Sequence, residues 1–261
     1  MLKQVAKKLF LKCGYRVINE KKFLKNHIIN FGAFSRYFNE GDDYLTLFAR
    51  AREITKTDPD ILKELRFYIV YQMVLHVVQQ YNISGDFAEC GCLKGHSTYM
   101  ISELLERYDF KNQFYVFDAF EDGFPDKTQE DMDELGVSDP IEVLKEKEYH
   151  VSSYSDAVQV LKKFPFVTLC KGWIPSIFEE KKEHLDGRQY AFLHIDVDLY
   201  EPARDSLAYF YPRMVKGGVI VIDDYGYSGF PGAKKAVDEF LKDKKVTLQL
   251  ENHAGGYLII V

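Results

Sequence analysis

The sequence is poor in cysteine and contains no C-x-x-C pair, which argues against a zinc ribbon or a thioredoxin-like redox site. Its four cysteines are Cys13, Cys90, Cys92 and Cys170. Cys90 and Cys92 stand at the end of an apolar segment, where packing explains them best. This cysteine usage is typical of a reducing compartment, so we expect a cytoplasmic protein.

The sequence also lacks a surplus of basic residues and any long apolar run. Its formal net charge at pH 7 is −6, whereas nucleic-acid-binding proteins usually carry a basic surplus. We therefore expect no nucleic-acid partner. No apolar run approaches the roughly 18 residues that a transmembrane helix needs, so we expect no membrane-spanning segment.

The first 25 residues are basic, yet they lack the apolar core and the cleavage site of a signal peptide. Two interpretations stay open for residues 1–25. Their apolar stripe allows weak contact with an anionic membrane surface, but a helix that packs on the rest of the chain or on a second subunit is favoured. A basic start beside an acidic body also favours a homo-oligomer.

From Gly85 onward, short apolar segments alternate with helical segments, which is typical of an α/β protein with a parallel sheet. The predicted strands lie at residues 86–90, 113–117, 166–170, 190–195, 218–222, 246–250 and 257–261. A short turn at 254–256 joins the last two into a hairpin. The sequence thus predicts a Rossmann-like, doubly wound and mostly parallel seven-stranded sheet with an antiparallel C-terminal hairpin at its edge.

The chain before residue 81 predicts helices without recognisable chemistry. We therefore divide it into a helical N-terminal extension, residues 1–80, and a ligand-binding domain, residues 81–261. Within that domain, residues 119–155 form a long acidic connection with little apolar periodicity. A lid over the site and an inert surface insertion are both open interpretations of this connection.

A glycine-containing turn follows the first predicted strand, in the segment Glu89–Ser97. Gly91 allows the backbone to turn tightly and approach a ligand, and Gly95 lets the next helix start close to the strand. Ser97 lies where free amides and a hydroxyl hold a carboxylate, and Glu89 offers an acceptor for an ammonium. The G-x-G-x-x-G dinucleotide pattern is missing, so the turn favours a ligand with an amino-acid end.

Two residues that follow later strands are further candidates for cofactor binding. Asp118 ends the second strand, where a carboxylate accepts hydrogen bonds from ribose hydroxyls; a simple turn residue is the alternative. Trp173, the only tryptophan, follows the third strand. It stacks beside an adenine, lines a substrate pocket or packs in the core, and the sequence leaves these open.

Pairs of aspartates follow two neighbouring strands. Asp196 and Asp198 come after the fourth strand, and Asp223 and Asp224 come after the fifth. The carboxyl ends of parallel strands meet at the edge of a sheet where ligands bind. Hard oxygen ligands gathered there favour a divalent cation such as Mg²⁺. A pair of helix N-caps is disfavoured, because the next helix is expected to start only near Pro231.

These motifs together resemble those of class I S-adenosylmethionine-dependent methyltransferases and, more narrowly, of the macrocin O-methyltransferase family. The resemblance lies within residues 85–261, in the segments 88–95, 116–125, 171–175, 195–201, 217–225 and 236–240. It implies that residues 81–261 bind S-adenosylmethionine. It also implies an Mg²⁺-dependent O-methyltransferase that acts on a hydroxyl of a sugar moiety in a natural product or glycan.

The resemblance further implies that Asp196, Asp223 and Asp224 bind the metal, which would hold a small-molecule or glycan acceptor with vicinal hydroxyls. Related metal-dependent methyltransferases carry a lysine base three residues after the first aspartate, and Leu199 occupies that position here. The candidates for the base are Asp198, Asp196, His194, His150 and Tyr200. For His194, a satisfied histidine in the core is the favoured alternative.

Two other classes of function stay open at this point. A nucleotide-binding oxidoreductase on a similar sheet would need a three-glycine turn that this sequence lacks. A catalytically inactive S-adenosylmethionine-binding module would have lost the aspartates or the glycine turn, and the sequence retains both.

Overall fold

The computed structural model describes residues 35–57, 61–120, 127–132, 153–225, 230–251 and 257–261. The chain divides into two compact units, Met1–Thr46 and Leu47–Val261. The second unit contains the sheet and the helices that flank it. None of the described helices is long and apolar enough to span a membrane.

The described elements alternate between helix and strand from β1 onward. The helices are α1 (Ser35–Thr55), α2 (Ile61–Leu75), α3 (His96–Arg107), α4 (Tyr154–Leu161), α5 (Ser176–Glu180), α6 (Lys182–Leu185), α7 (Tyr200–Phe210) and α8 (Pro231–Leu241). The π-helical turn His76–Gln80 continues α2, and 3-10 turns occur at Gln129–Asp131 and Tyr211–Arg213. The strands are β1 (Asp86–Cys90), β2 (Phe114–Asp118), β3 (Val167–Lys171), β4 (Tyr190–Ile195), β5 (Met214–Ile222), β6 (Leu248–Glu251) and β7 (Tyr257–Ile260).

These strands form one sheet in the order β3-β2-β1-β4-β5-β7-β6. Strands β1 to β5 pair in parallel, and β7 runs antiparallel to both β5 and β6. The predicted α/β sheet, mostly parallel with an antiparallel pair at its edge, is thereby confirmed. Strand β5 begins at Met214, upstream of the predicted start at residue 218, because Met214 pairs with Tyr190 before a register shift.

The sheet is covered on both faces, as the nearly continuous apolar runs of its strands predict. One face, which includes Cys90 and Leu193, packs into a buried cluster with α7 and α8. On the other face, Phe67 of α2 contacts the ring of His194, with 6.2 Å between ring centroids. Helix α2 therefore covers the side of the sheet that carries this buried histidine.

Helix α2 belongs to the same compact unit as the sheet, although it precedes the predicted domain start at residue 81. The reason is its apolar surface: Val74 and Val77 are fully buried, so this segment packs as part of the core. Other predictions fall outside the described residues: the membrane contact of residues 1–25, His150, the turn at 254–256, and all of the lid at 119–155 except 119–120, 127–132 and 153–155.

Within the acidic connection, residues 127–132 are attached to the domain through Asp131. The buried carboxylate of Asp131 accepts hydrogen bonds from the backbone amide of Tyr200, at 2.6 Å, and from the hydroxyl of Thr128, at 2.8 Å. The Tyr200 amide opens α7 and has no partner within that helix. A Cβ added at Gly232 would lie 2.1 Å from the Asp131 carboxylate, so the contact also depends on a glycine in α8.

The turns that follow β1 and β4 touch through their backbones. The Asp196 amide donates to the carbonyl of Cys90 at 2.8 Å, and a Cβ added at Gly91 would lie 1.8 Å from the Asp196 carbonyl oxygen. Gly91 also has a φ of 91°, which side-chain-bearing residues rarely adopt. Only glycine fits here, and its close approach brings the two turns together at the point where the strand order reverses.

We expect Gly91→Ala to destabilise the domain more than Gly187→Ala. Gly187 also has a left-handed φ, 73°, but an added Cβ there meets no heavy atom within 4 Å. Gly187→Ala should therefore cost only the backbone strain, about 1–2 kcal/mol. Gly91→Ala should cost a further 1–3 kcal/mol or so, because the new methyl group forces a backbone shift.

Urea denaturation followed by far-UV circular dichroism measures both losses of stability. Equal losses in the two variants would contradict the close approach between the two turns.

Candidate active site

The glycine turn leads directly into α3. Gly95 is the N-cap of this helix and adopts a left-handed conformation, with a φ of 84° and a ψ of 22°. Ser97 lies in the first helical turn and is buried. His96, which opens the helix, is also buried, and burial lowers its pKa to about 3, so it is neutral at physiological pH. The turn therefore presents backbone amides of a helix N-terminus, and His96 adds no positive charge to them.

Asp118 holds the glycine turn against the end of β2. One carboxylate oxygen accepts hydrogen bonds from the amides of Cys92, at 2.7 Å, and Leu93, at 2.8 Å. The other accepts from the amide of Phe120 at 2.7 Å. The structure thus gives Asp118 a turn-stabilising role, and its contact with a ribose stays a prediction.

Glu89 and His194 form a buried pair beneath the glycine turn. Both side chains are fully buried, and Nδ1 of His194 lies 2.8 Å from one carboxylate oxygen of Glu89. The other oxygen accepts a hydrogen bond from the Thr98 hydroxyl. Burial alone would lower the pKa of His194, but the hydrogen bond and the charge of Glu89 outweigh it and raise that pKa. Contact of Glu89 with a cofactor ammonium stays a prediction.

Three carboxylates converge at the carboxyl ends of β4 and β5. Asp196, Asp198 and Asp224 each place one oxygen so that the three atoms lie within 4.8 Å of one another. Asp198 reaches this position because β4 ends at Ile195 and Asp198 itself takes a left-handed φ of 61°. Its amide donates to the Asp224 carboxylate at 3.2 Å. These three residues form what we call the acidic cluster.

Burial and mutual repulsion make it unfavourable for all three carboxylates of the acidic cluster to be ionised at once. Asp224 is buried, and burial together with the charges of Asp198 and Asp196 raises its pKa well above the usual range. Carboxylates crowded in this way bind a proton or a cation to relieve their repulsion. The cluster therefore has the oxygen-rich chemistry that a divalent cation requires.

Asp223, predicted as a metal ligand, lies beside the acidic cluster and is held by a cation from α2. The Nε of Arg66 donates to its Oδ2 at 2.8 Å, and both side chains are buried. Its Oδ1 is buried and has no hydrogen-bond partner among the described residues. Burial raises the pKa of Asp223 in spite of the opposing charge of Arg66. The role of Asp223 as a metal ligand stays a prediction.

Trp173 is 43% exposed. The interpretation of this side chain as a core aromatic is therefore wrong, and the two binding interpretations remain. Its turn lies next to that of Asp118, because the amide of Gly172 donates to the Asp118 carbonyl at 2.9 Å. Trp173 thus stands at the same edge of the sheet as the glycine turn.

Sequence reasoning missed Lys63 and Arg66, the two cations that α2 brings to the aspartates. The Nζ of Lys63 lies 3.8 Å from the Asp196 carboxylate, and Arg66 binds Asp223. A signal was available, because both cations stand in a mainly apolar helix whose other charged residue is Glu64, and charged residues are almost never fully buried without a partner.

Comparison with known proteins gives this site its context. The family model for Macrocin-O-methyltransferase (TylF) matches residues 64–255, a range that includes α2 from Glu64 onward and both pairs of aspartates. Demethyldecarbamoylnovobiocin O-methyltransferase from Streptomyces niveus is 28% identical over 163 residues, covering 61% of this chain and 59% of that protein. Mycinamicin III 3''-O-methyltransferase from Micromonospora griseorubida is 27% identical over 169 residues, covering 60% and 61%.

A solved structure agrees with these sequence matches. The O-methyltransferase NovP superposes with a TM-score of 0.58 and 25% identity, covering 75% of this chain and 78% of that one. The chain spans about three fifths of the length of the curated relatives it matches. Because the family model covers well over half of the sequence, the resemblance is confirmed, and the chain belongs to the Macrocin-O-methyltransferase (TylF) family.

Proposed function

We propose that this protein is an S-adenosylmethionine- and divalent-metal-dependent O-methyltransferase that acts on a hydroxyl of a sugar moiety in a natural product or glycan. The observation on which the proposal rests is the contact between the glycine turn and the acidic cluster at the switch point of the sheet. Family membership supports methyl transfer. The names of the two relatives support a natural-product acceptor.

The cofactor would bind along the glycine turn. Gly91 holds the turn close to Asp196, an added Cβ at Gly95 would meet no atom closer than 3.9 Å, and the first turn of α3, which contains Ser97, supplies amides for the cofactor carboxylate. Asp118 lies at the end of β2, where it can meet the ribose. Trp173 is exposed at the same edge and offers a flat surface for the adenine.

The residues present fit a divalent cation. Asp196, Asp198 and Asp224 offer clustered oxygens, and the buried Oδ1 of Asp223 has no described partner. Such a cation, when bound, lowers the pKa of a coordinated hydroxyl and orients vicinal hydroxyls. Because the charges of the four carboxylates repel one another, binding of a divalent cation among them is favoured.

The chemical step that this chain would promote is an in-line displacement. The acceptor oxygen forms a bond to the methyl carbon while the bond from that carbon to the sulfonium sulfur breaks, and the hydroxyl proton moves to a base. Asp198 is our choice for that base, because it is partly exposed and belongs to the acidic cluster. His194 is fully buried against Glu89 and serves better as a support for β1 and β4. Holding both reactants in line supplies much of the rate.

Thermal unfolding in the presence of ligands tests the cofactor. S-adenosylhomocysteine at about 100 times its Kd should add about 2.7 kcal/mol of stability, which raises Tm by roughly 5–10 °C for a domain of this size. NAD⁺ should leave Tm unchanged, with or without Mg²⁺. A shift with NAD⁺ alone would instead favour a nucleotide-binding oxidoreductase.

Removal of one cluster carboxylate tests the cation. We expect Asp196→Asn and Asp224→Asn to lower methyl transfer at least about a hundredfold, because cation and acceptor lose a ligand, while S-adenosylhomocysteine affinity stays within about threefold. EDTA should abolish wild-type turnover, and added Mg²⁺ should restore it.

The matched control for these variants is Glu179→Gln, which removes an exposed carboxylate and should leave turnover unchanged. Full wild-type activity in EDTA would contradict the metal dependence.

Substitution of His194 separates a supporting role from a catalytic one. His194→Phe leaves Glu89 buried with Thr98 as its described partner, which should cost about 3–5 kcal/mol of stability. The double variant Glu89→Gln/His194→Phe should lose less, since no charge is then buried. Urea denaturation measures these losses. A folded, fully stable His194→Phe protein without turnover would show that His194 is the base.

A further inference from the structure

Helix α2 supplies two cations to the ends of two neighbouring strands. Lys63 and Arg66, three residues apart on one face of the helix, reach Asp196 after β4 and Asp223 after β5, at 3.8 Å and 2.8 Å. Both contacts are shielded from water, since the Lys63 and Arg66 side chains are only 13% and 8% exposed. An element whose sequence showed no chemistry therefore takes part in the site.

The charges of this arrangement call for one more cation. Asp196, Asp198, Asp223 and Asp224 carry four negative charges when all are ionised, and Lys63 and Arg66 carry two positive ones. For these six side chains the net charge is two negative charges, which one divalent cation neutralises. Without Arg66 the net charge would be three negative charges, and the buried carboxylate of Asp223 would lose its counter-charge.

The two oxygens of Asp223 differ sharply in their surroundings. Oδ2 accepts the Arg66 hydrogen bond, whereas Oδ1 is buried without a described partner. A buried acceptor left without a hydrogen bond is costly, typically about 1–3 kcal/mol. Such an atom next to an acidic cluster has the properties of a metal ligand.

We propose that Arg66 is a positioning residue for the cation site: it holds Asp223 through one oxygen and thereby presents the other as a ligand. The inference rests on the cation site of the proposed function. In this role Arg66 acts through Asp223, to which its Nε donates. A guanidinium suits this role, because its planar fork fixes the direction of a carboxylate, whereas a lysine ammonium acts as a point charge.

Mn²⁺ binding to the full chain, measured by electron paramagnetic resonance and by titration calorimetry without methyl donor, tests the role of Arg66. We expect Arg66→Met to raise the Kd for Mn²⁺ at least tenfold and Arg66→Lys to raise it about threefold. Affinity for S-adenosylhomocysteine in EDTA should stay within twofold of wild type in both. The matched control is Arg204→Met, since Arg204 also binds a carboxylate through Nε at 2.8 Å, but is 44% exposed; its Kd for Mn²⁺ should not change.

A double-mutant cycle distinguishes positioning from a general effect on charge. If Arg66 acts through Asp223, adding Arg66→Met to Asp223→Asn should change the Kd for Mn²⁺ less than twofold beyond Asp223→Asn alone. Additive losses would overturn the inference. If Arg66→Met fails to fold, the cycle is run with Arg66→Lys, and an unchanged Kd for Mn²⁺ in that variant likewise overturns it.

The wild-type protein separates this inference from the proposed function. Wild type that binds S-adenosylhomocysteine and Mn²⁺, together with an unaffected Arg66→Lys, would refute the role of Arg66 alone. Wild type that binds no Mn²⁺ would refute the cation site and, with it, this inference.

Discussion

The close backbone approach between the turns after β1 and β4 is the constraint on which the rest of the site depends. Gly91 admits the Asp196 carbonyl where any side chain would collide with it, and this contact lies where the strand order reverses. It fixes the separation between the glycine turn, which would hold a methyl donor, and the acidic cluster, which would hold a methyl acceptor. A displacement reaction needs this kind of fixed separation, because small misplacements of the reactants lower its rate steeply.

Several carboxylates are buried where the turns after β1, β4 and β5 meet. Glu89 and His194 occupy neighbouring positions on β1 and β4, and Asp223 follows β5 on the adjoining strand. Three buried carboxylates in this region each have a partner: His194 and Thr98 for Glu89, Arg66 for Asp223, and the Asp198 amide for Asp224. Such pairs add little net stability, so their presence at the switch point of the sheet fits a functional demand better than a structural one.

Much of this site could be predicted from local sequence signals. Buried parallel strands, a glycine turn after β1 and aspartates after β4 and β5 are encoded within a few residues each, and the structure places all of them at one edge. The partners of the side chains could not be predicted in this way. Arg66 meets Asp223 across 157 positions, and Asp198 joins the acidic cluster only because its backbone takes a left-handed conformation. Tertiary packing, rather than local pattern, decides both.

The hydrogen bond from Asp131 to the Tyr200 amide has a mechanical consequence. It caps a helix that begins two residues after Asp198 with a carboxylate from 69 positions upstream. Displacement of Asp131 leaves the amide at this helix terminus, beside the acidic cluster, without its acceptor. Displacement of the helix terminus in turn strains the hydrogen bond to Asp131. The acidic connection and the acidic cluster are thus mechanically coupled, so that a displacement of either one is transmitted to the other.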